Sequence, residues 1–149
     1  MDMKKIVNPW QGMAGYNCFG CAPDNPVGLH LEFFEEGEAI VTFWTPSTAY
    51  QGWEGIVRGG IQALLLDEVC GWVVTRKRQT AGVTMSMETR YLKPVSASNR
   101  RLTVRARIRE QQRNILVIDA EILNDEGLRC TVATCRYYLF SHERAMQIM

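Results

Sequence analysis

Three features of the sequence predict an α+β fold. Ile61–Lys77 (IQALLLDEVCGWVVTRK) is long and Leu/Ala-rich enough for one helix. From Val83 onward the apolar residues recur at every second position, the period of half-buried strands. Two shorter β-branched and aromatic runs precede the helix. Strands that follow strands, with a single helix among them, exclude a parallel α/β sheet.

Taken in order, residues 1–28 are rich in Gly, Pro and Asn and read as an irregular lead-in. Leu29–Glu35 reads as a first strand, and Glu36-Gly37 turns the chain into a second, Ala39–Thr45, which Pro46 ends. A loop from Ser47 to Gly55 leads to Gly59-Gly60 and the helix, which should be buried all round because nearly every position from Ile61 to Val74 is apolar. Arg76, Lys77 and Arg78 close it where the dipole favours cations. Beyond it, Val83, Met85, Met87, Thr89 and Tyr91 share one face of a strand that Pro94 closes. Leu102, Val104, Ala106 and Ile108 alternate with polar residues, and Leu116, Ile118, Ala120 and Ile122 repeat the pattern. Asn124–Gly127 then reads as a hairpin turn before Leu128–Phe140. No repeat or composition shift divides the chain, so residues 1–149 are expected to form one domain.

Composition removes several functions. Of the 149 residues, 46% are hydrophobic and 22% charged, too apolar for a disordered chain. Lys and Arg total 17 against 16 Asp and Glu, so a net charge of +1 gives no basic surface for nucleic acid. No window reaches 18 apolar residues, so no membrane helix is expected. The first residues lack the apolar core of an export signal, and the five cysteines are therefore expected as cytoplasmic thiols.

Two carboxylates interrupt the helix. At about 100° per residue, Asp67 shares a stripe with Gly60, Ala63, Gly71 and Val74, whereas Glu68 points toward Ile61, Leu64 and Trp72. A carboxylate among small residues is costly to bury unless it is paired or used, although a solvent edge would also accommodate it. Gly59 and Gly60 leave first-turn N–H groups unobstructed, a setting that suits a developing oxyanion as well as a plain tight turn.

Other groups have a bland alternative beside the functional one. Arg101, Arg105, Arg107 and Arg109 line one strand face, with Arg90 and Lys93 nearby; they form a solvated face or bind phosphates. Trp44, Trp53 and Trp72 form core or line a ligand tunnel. Cys18-Phe19-Gly20-Cys21 has the spacing of half a zinc site, but Cys70, Cys130 and Cys135 lie singly, so the ligand count falls short and no metal is expected.

The stretch YQGWEGIVRGGIQALLLDEVCGW (residues 50–72) resembles the hot-dog-fold acyl-CoA thioesterases of the PaaI-like group. Their signature runs H-Q-G-x-x-G-x-V-H-G-G, with an Asp nine residues after the second His. CFGCAPDNPVGLHLEF, TRYLKPV and NDEGLRCTVATC resemble further parts of that family, so the resemblance spans about residues 17 to 140. It implies one long central helix wrapped by an antiparallel sheet of about six strands, and hydrolysis of an acyl-CoA thioester. It also implies that Asp67 is the catalytic carboxylate, that Gly59 and Gly60 polarise the carbonyl, that Thr84 sits near the carboxylate, and that Gln51 lines the cleft. Coenzyme A is then part of the substrate, and no separate cofactor is implied.

Two positions depart from the signature. Arg58 stands where the family has the second His, and Tyr50 where it has the first. Arginine cannot transfer protons near neutral pH but can bind a thioester oxygen or a phosphate. Arg58, Gln51, Tyr50, Glu68, Arg90 and Lys93 are accordingly the expected substrate-binding residues. A non-catalytic acyl-CoA-binding or sensing module is the alternative function; a dehydratase would need an Asp/His pair that this chain lacks in motif context. Helix geometry adds an expectation about assembly. Gly59 and Asp67 are eight residues apart, about 12 Å along the axis, so one helix cannot supply both groups to one carbonyl. An antiparallel second copy can, which predicts a homodimer or homotetramer with shared sites.

Overall fold

A computed structural model describes residues 2–148. Its strands are β1 (Lys4–Lys5), β2 (Phe33–Glu36), β3 (Ala39–Trp44), β4 (Gly82–Tyr91), β5 (Leu102–Gln112), β6 (Ile115–Leu123) and β7 (Arg129–Leu139). Helix α1 (Gly59–Arg78) precedes β4, and α2 (His142–Ile148) follows β7. All strands join one antiparallel sheet in the order β1-β2-β3-β5-β6-β7-β4, which leaves β4 at an edge. The sheet curls around α1, whose Leu65, Leu66, Val69 and Val73 are completely buried among Ile40, Leu102, Leu116, Ile118 and Ile122. Burial of each such side chain contributes about 1.5–3 kcal/mol.

The α+β class, the long helix and the four later strands are as the periodicity predicts. Several details differ. Seven strands form rather than about six, because Lys4–Lys5 inside the lead-in pairs with Phe34 and Glu35. The expected strand at Leu29 begins at Phe33 instead: His30 takes a left-handed φ of 54°, and the N–H groups of Leu29 and Leu31 bond back to the carbonyls of Phe19 and Gly20. A short helix, α2, follows the last strand. Helix α1 is not buried all round, since Gly60 is exposed and Ala63, Asp67 and Gly71 are only half-buried. Of the tryptophans, Trp44 and Trp72 belong to the core, Trp72 stacked on Phe33 at 4.6 Å, while Trp53 is 86% exposed.

Strict alternation fails on β4. Thr84 pairs with Tyr137 and Ser86 with Arg136, so Met85 is an unpaired bulge residue. Directly paired residues share a face. Thr84 therefore faces the helix with Tyr137, and Met87 does so with Cys135. Val83 and Met85 are left about half exposed.

At its far end α1 is tied to β2 through Glu35, which accepts from Lys77 at 2.5 Å and Arg76 at 3.1 Å. Lys77, then Arg76, hold the Glu35 carboxyl below its ordinary 4.5. A depressed carboxyl stabilises the fold above its unfolded-state value, and that contribution disappears as the pH falls through the folded one. Urea unfolding of Glu35→Gln should therefore show a deficit of less than about 1 kcal/mol at pH 7 that closes in acid.

Candidate active site

Asp67 sits midway along α1 on the half-exposed stripe, and two hydroxyls hold its carboxylate. Thr84 donates from Oγ1 to Oδ1 at 2.9 Å, and the buried Tyr137 phenol donates to the same oxygen at 2.5 Å. Tyr137 also lies 2.8 Å from the Asp67 carbonyl oxygen, so β7 fixes both the side chain and the backbone at this position. Burial, with Cys70 and Asp67 beside it, pushes the Tyr137 phenol well above its ordinary value, so it stays protonated as a donor. Gly71 lies one turn on, where a Cβ would make only ordinary contact with this phenol, 4.0 Å from its oxygen. The other carboxylate oxygen, Oδ2, has no partner among the described residues. The result is an oriented carboxylate with one oxygen free to attack a carbonyl carbon or take a proton from water.

Tyr137→Phe removes the shorter of the two hydrogen bonds. Stability should fall by about 1 kcal/mol in denaturant titration. Turnover should fall as well, because the carboxylate loses one of its two anchors.

The second part of the site is the start of α1. Arg58 is the N-cap residue and uses no side-chain cap. Its carbonyl accepts from Ile61 and Gln62, and the N–H groups of Gly59 and Gly60 have no acceptor among the described residues. Tyr91 donates to the Gly59 carbonyl at 2.9 Å, and its ring would lie 3.3 Å from any Cβ at position 59, which explains a glycine there. A cleft of ≈ 490 Å³ lined by Gly52, Trp53, Ile56, Val57, Arg58 and Gly59 opens against this end of the helix.

The remaining expected site residues divide. Arg58 is exposed beside Gly52 in that cleft. Gln51 spends its side-chain oxygen on the Gly55 N–H at 2.9 Å, which shapes the cleft loop. Tyr50 packs edge-on against Trp44 and accepts the Arg58 N–H through its carbonyl. Arg90 lies on the outer face of the sheet, in a groove shared with Arg105, Arg107 and Arg109, and Lys93 is exposed just past β4. Arg105 is paired with Glu36 and Glu121, and Arg109 with Asp119, so these two cations are already neutralised. Glu68 turns away from Asp67 to the lead-in, where Cys18 donates to it at 3.5 Å. Burial, reinforced by Cys18, raises Glu68 to about 7. Hydrogen bonding from Cys21 lowers Cys18 to about 5, and Cys21 is raised in turn.

Sequence reasoning missed Tyr137 and Tyr91. Both read as ordinary strand aromatics; the signal was their register, since each faces the helix, Tyr137 from an inner strand and Tyr91 from the edge strand.

A sheet wrapped around one long helix, with a carboxylate in its middle and free N–H groups at its start, is the hot-dog architecture. The family model of the thioesterase superfamily matches residues 54–131, more than half of the chain, and the chain belongs to that superfamily. Among solved structures, a thioesterase superfamily protein superposes with a TM-score of 0.74 at 24% identity, covering 82% of this chain and 60% of its own. A hypothetical thioesterase from Streptococcus pneumoniae, crystallised with coenzyme A, gives 0.68 at 25% identity over 75% of this chain and 90% of its own. The E. coli PaaI protein of the phenylacetic acid degradation operon gives 0.69 at 21% identity over 76% and 82%, so the fold is that of the PaaI-like hot-dog thioesterases. This chain thus spans under two thirds of the first of these proteins and most of the other two. No curated protein matches it. No described helix is long and apolar enough to cross a membrane.

Proposed function

We propose that this protein hydrolyses an acyl-CoA thioester to the free acid and coenzyme A. The observation that carries the proposal is Asp67: a carboxylate aimed by Thr84 and Tyr137, with one oxygen free, on the open stripe of an otherwise buried helix. In the reaction a C–O bond forms at the carbonyl carbon and the C–S bond breaks. The proton released by water goes to the departing sulfur. Asp67 acts as nucleophile on that carbon or as the base for water, and the N–H groups of Gly59 and Gly60 face the carbonyl oxygen. Arg58, Gln51 and Tyr50 shape the cleft that receives the pantetheine arm. Arg90 and Lys93 have no carboxylate partner among the described residues and are the cations offered to the phosphates. Coenzyme A in the streptococcal structure supports this substrate class.

The active unit is a homodimer or homotetramer. The open stripe of Gly60, Ala63, Asp67 and Gly71 lies beside edge strand β4, whose Val83 and Met85 are about half exposed. An antiparallel second helix packed on that stripe brings its Asp67 to the first copy's glycines. The five cysteines, all free thiols, suit the cytoplasm.

Arg58 in place of the family histidine favours a second function, an acyl-CoA-binding or sensing module without turnover. Thiol release from a panel of acyl-CoAs, run beside binding measurements on the same panel, separates the two. Turnover supports hydrolysis; binding without turnover supports the sensor.

A further inference from the structure

The irregular lead-in meets α1 at a cluster the catalytic site does not use. The Cys18 and Cys21 sulfurs and a Glu68 carboxylate oxygen all lie within 4.8 Å of one another. Cys21 is 7% exposed, while Cys18 and Glu68 are half-buried. Glu68 belongs to no salt bridge among the described residues. Three groups able to ligate a cation therefore converge with no cationic side chain paired to Glu68 among the described residues.

One edge of this triangle matches a tetrahedral metal, and the other two stay within 4.8 Å. With zinc–sulfur and zinc–oxygen bonds of about 2.3 and 2.0 Å, the S···O edge of a tetrahedron is about 3.5 Å. The separation between Cys18 Sγ and Glu68 Oε1 is 3.5 Å. The surroundings are prepared as well. Tyr16 lies 2.8 Å from the Cys21 sulfur and accepts from Asn8 at 2.9 Å, so its phenolic proton is available to a thiolate at Cys21. Such a donor orients and stabilises a metal-bound thiolate. Glycine at position 20 makes room for the carboxylate: a Cβ there would collide with the Glu68 carboxyl group.

We propose that Cys18, Cys21 and Glu68 form a structural site for a thiophilic divalent cation, zinc foremost, which clamps the lead-in onto α1. Counting ligands along the sequence stopped at two because the third is fifty residues away from Cys18. The fourth position falls to water, since Cys18 remains partly accessible to solvent. Thiolates select zinc over magnesium or calcium, and the clamp supplies stability to a segment whose regular structure is one two-residue strand.

The test uses the full chain purified under reducing conditions, with elemental analysis, cobalt titration of the metal-free protein, and thermal unfolding. About one zinc per chain is expected, and cobalt should give the sulfur-to-metal absorption of a tetrahedral thiolate site. Cys18→Ser and Glu68→Gln should each weaken cobalt binding at least about 10-fold, and Cys130→Ser should not change it. Zinc should raise the melting temperature of the wild type but not of Cys18→Ser. If the cysteine variants fail to fold, the wild-type cobalt spectrum and the near-isosteric Glu68→Gln decide. Reduced protein that binds neither metal overturns the proposal, as does binding that survives both Cys18→Ser and Glu68→Gln. A Cys18–Cys21 disulfide in a chain that takes no cobalt once reduced also overturns it. None of these readouts depends on turnover.

Discussion

Replacing Asp67 with asparagine should lower kcat by about 100-fold or more while leaving the fold intact. The amide oxygen can still accept from Thr84 and Tyr137, so the two anchors at 2.9 and 2.5 Å have a partner and the helix keeps its tie to β7. What disappears is the anionic oxygen, and with it both chemical roles open to this residue. Loss of a positioned nucleophile or base costs this much or more. The measurement is thiol release at saturating acyl-CoA, paired with thermal unfolding to show that the variant is native. A folded Asp67→Asn chain with undiminished kcat would remove Asp67 from the chemistry and leave Glu68 as the carboxylate to examine.

Two inactive chains should rescue each other. Asp67→Ala lacks the carboxylate but keeps its glycines. Gly59→Val keeps the carboxylate, but its side chain crowds Tyr91, whose ring already lies 3.3 Å from where a Cβ would be. When equal amounts are refolded together, half of the dimers are hybrids. Each hybrid then has one site with both groups intact and one with neither, so the mixture should recover about a quarter of wild-type activity. The number follows from sharing: sites built within one chain would give no recovery. A monomer that is fully active in sedimentation at assay concentration would refute the arrangement equally.

How far the sequence speaks depends on whether a feature is local. Helix α1 was legible because its apolar run and basic end are consecutive, and β5 to β7 because alternation survives along most of each strand. Asp67 stood out as a charge among small residues. Tyr137 did not, since an aromatic in an alternating strand looks like core until its hydroxyl is seen against the helix. The Leu29–Leu31 segment failed for a related reason: its partners, Phe19 and Gly20, bond through backbone groups and leave no mark in side-chain patterning. The arginine face of β5 could be read, but the carboxylates that neutralise Arg105 and Arg109 lie on β2 and β6.

Thr84 was marked by resemblance alone, because strict alternation would have turned it away from Met87 and the helix. Losing one residue from a strand ordinarily inverts every side chain beyond the gap. At Met85 it would not. With that residue gone, Thr84 and Ser86 become neighbours opposite Tyr137 and Arg136, and the positions on both sides keep their present orientation. Edge strand β4 thus contains one place, next to the carboxylate's hydroxyl partner, where the chain can shorten without being rewritten.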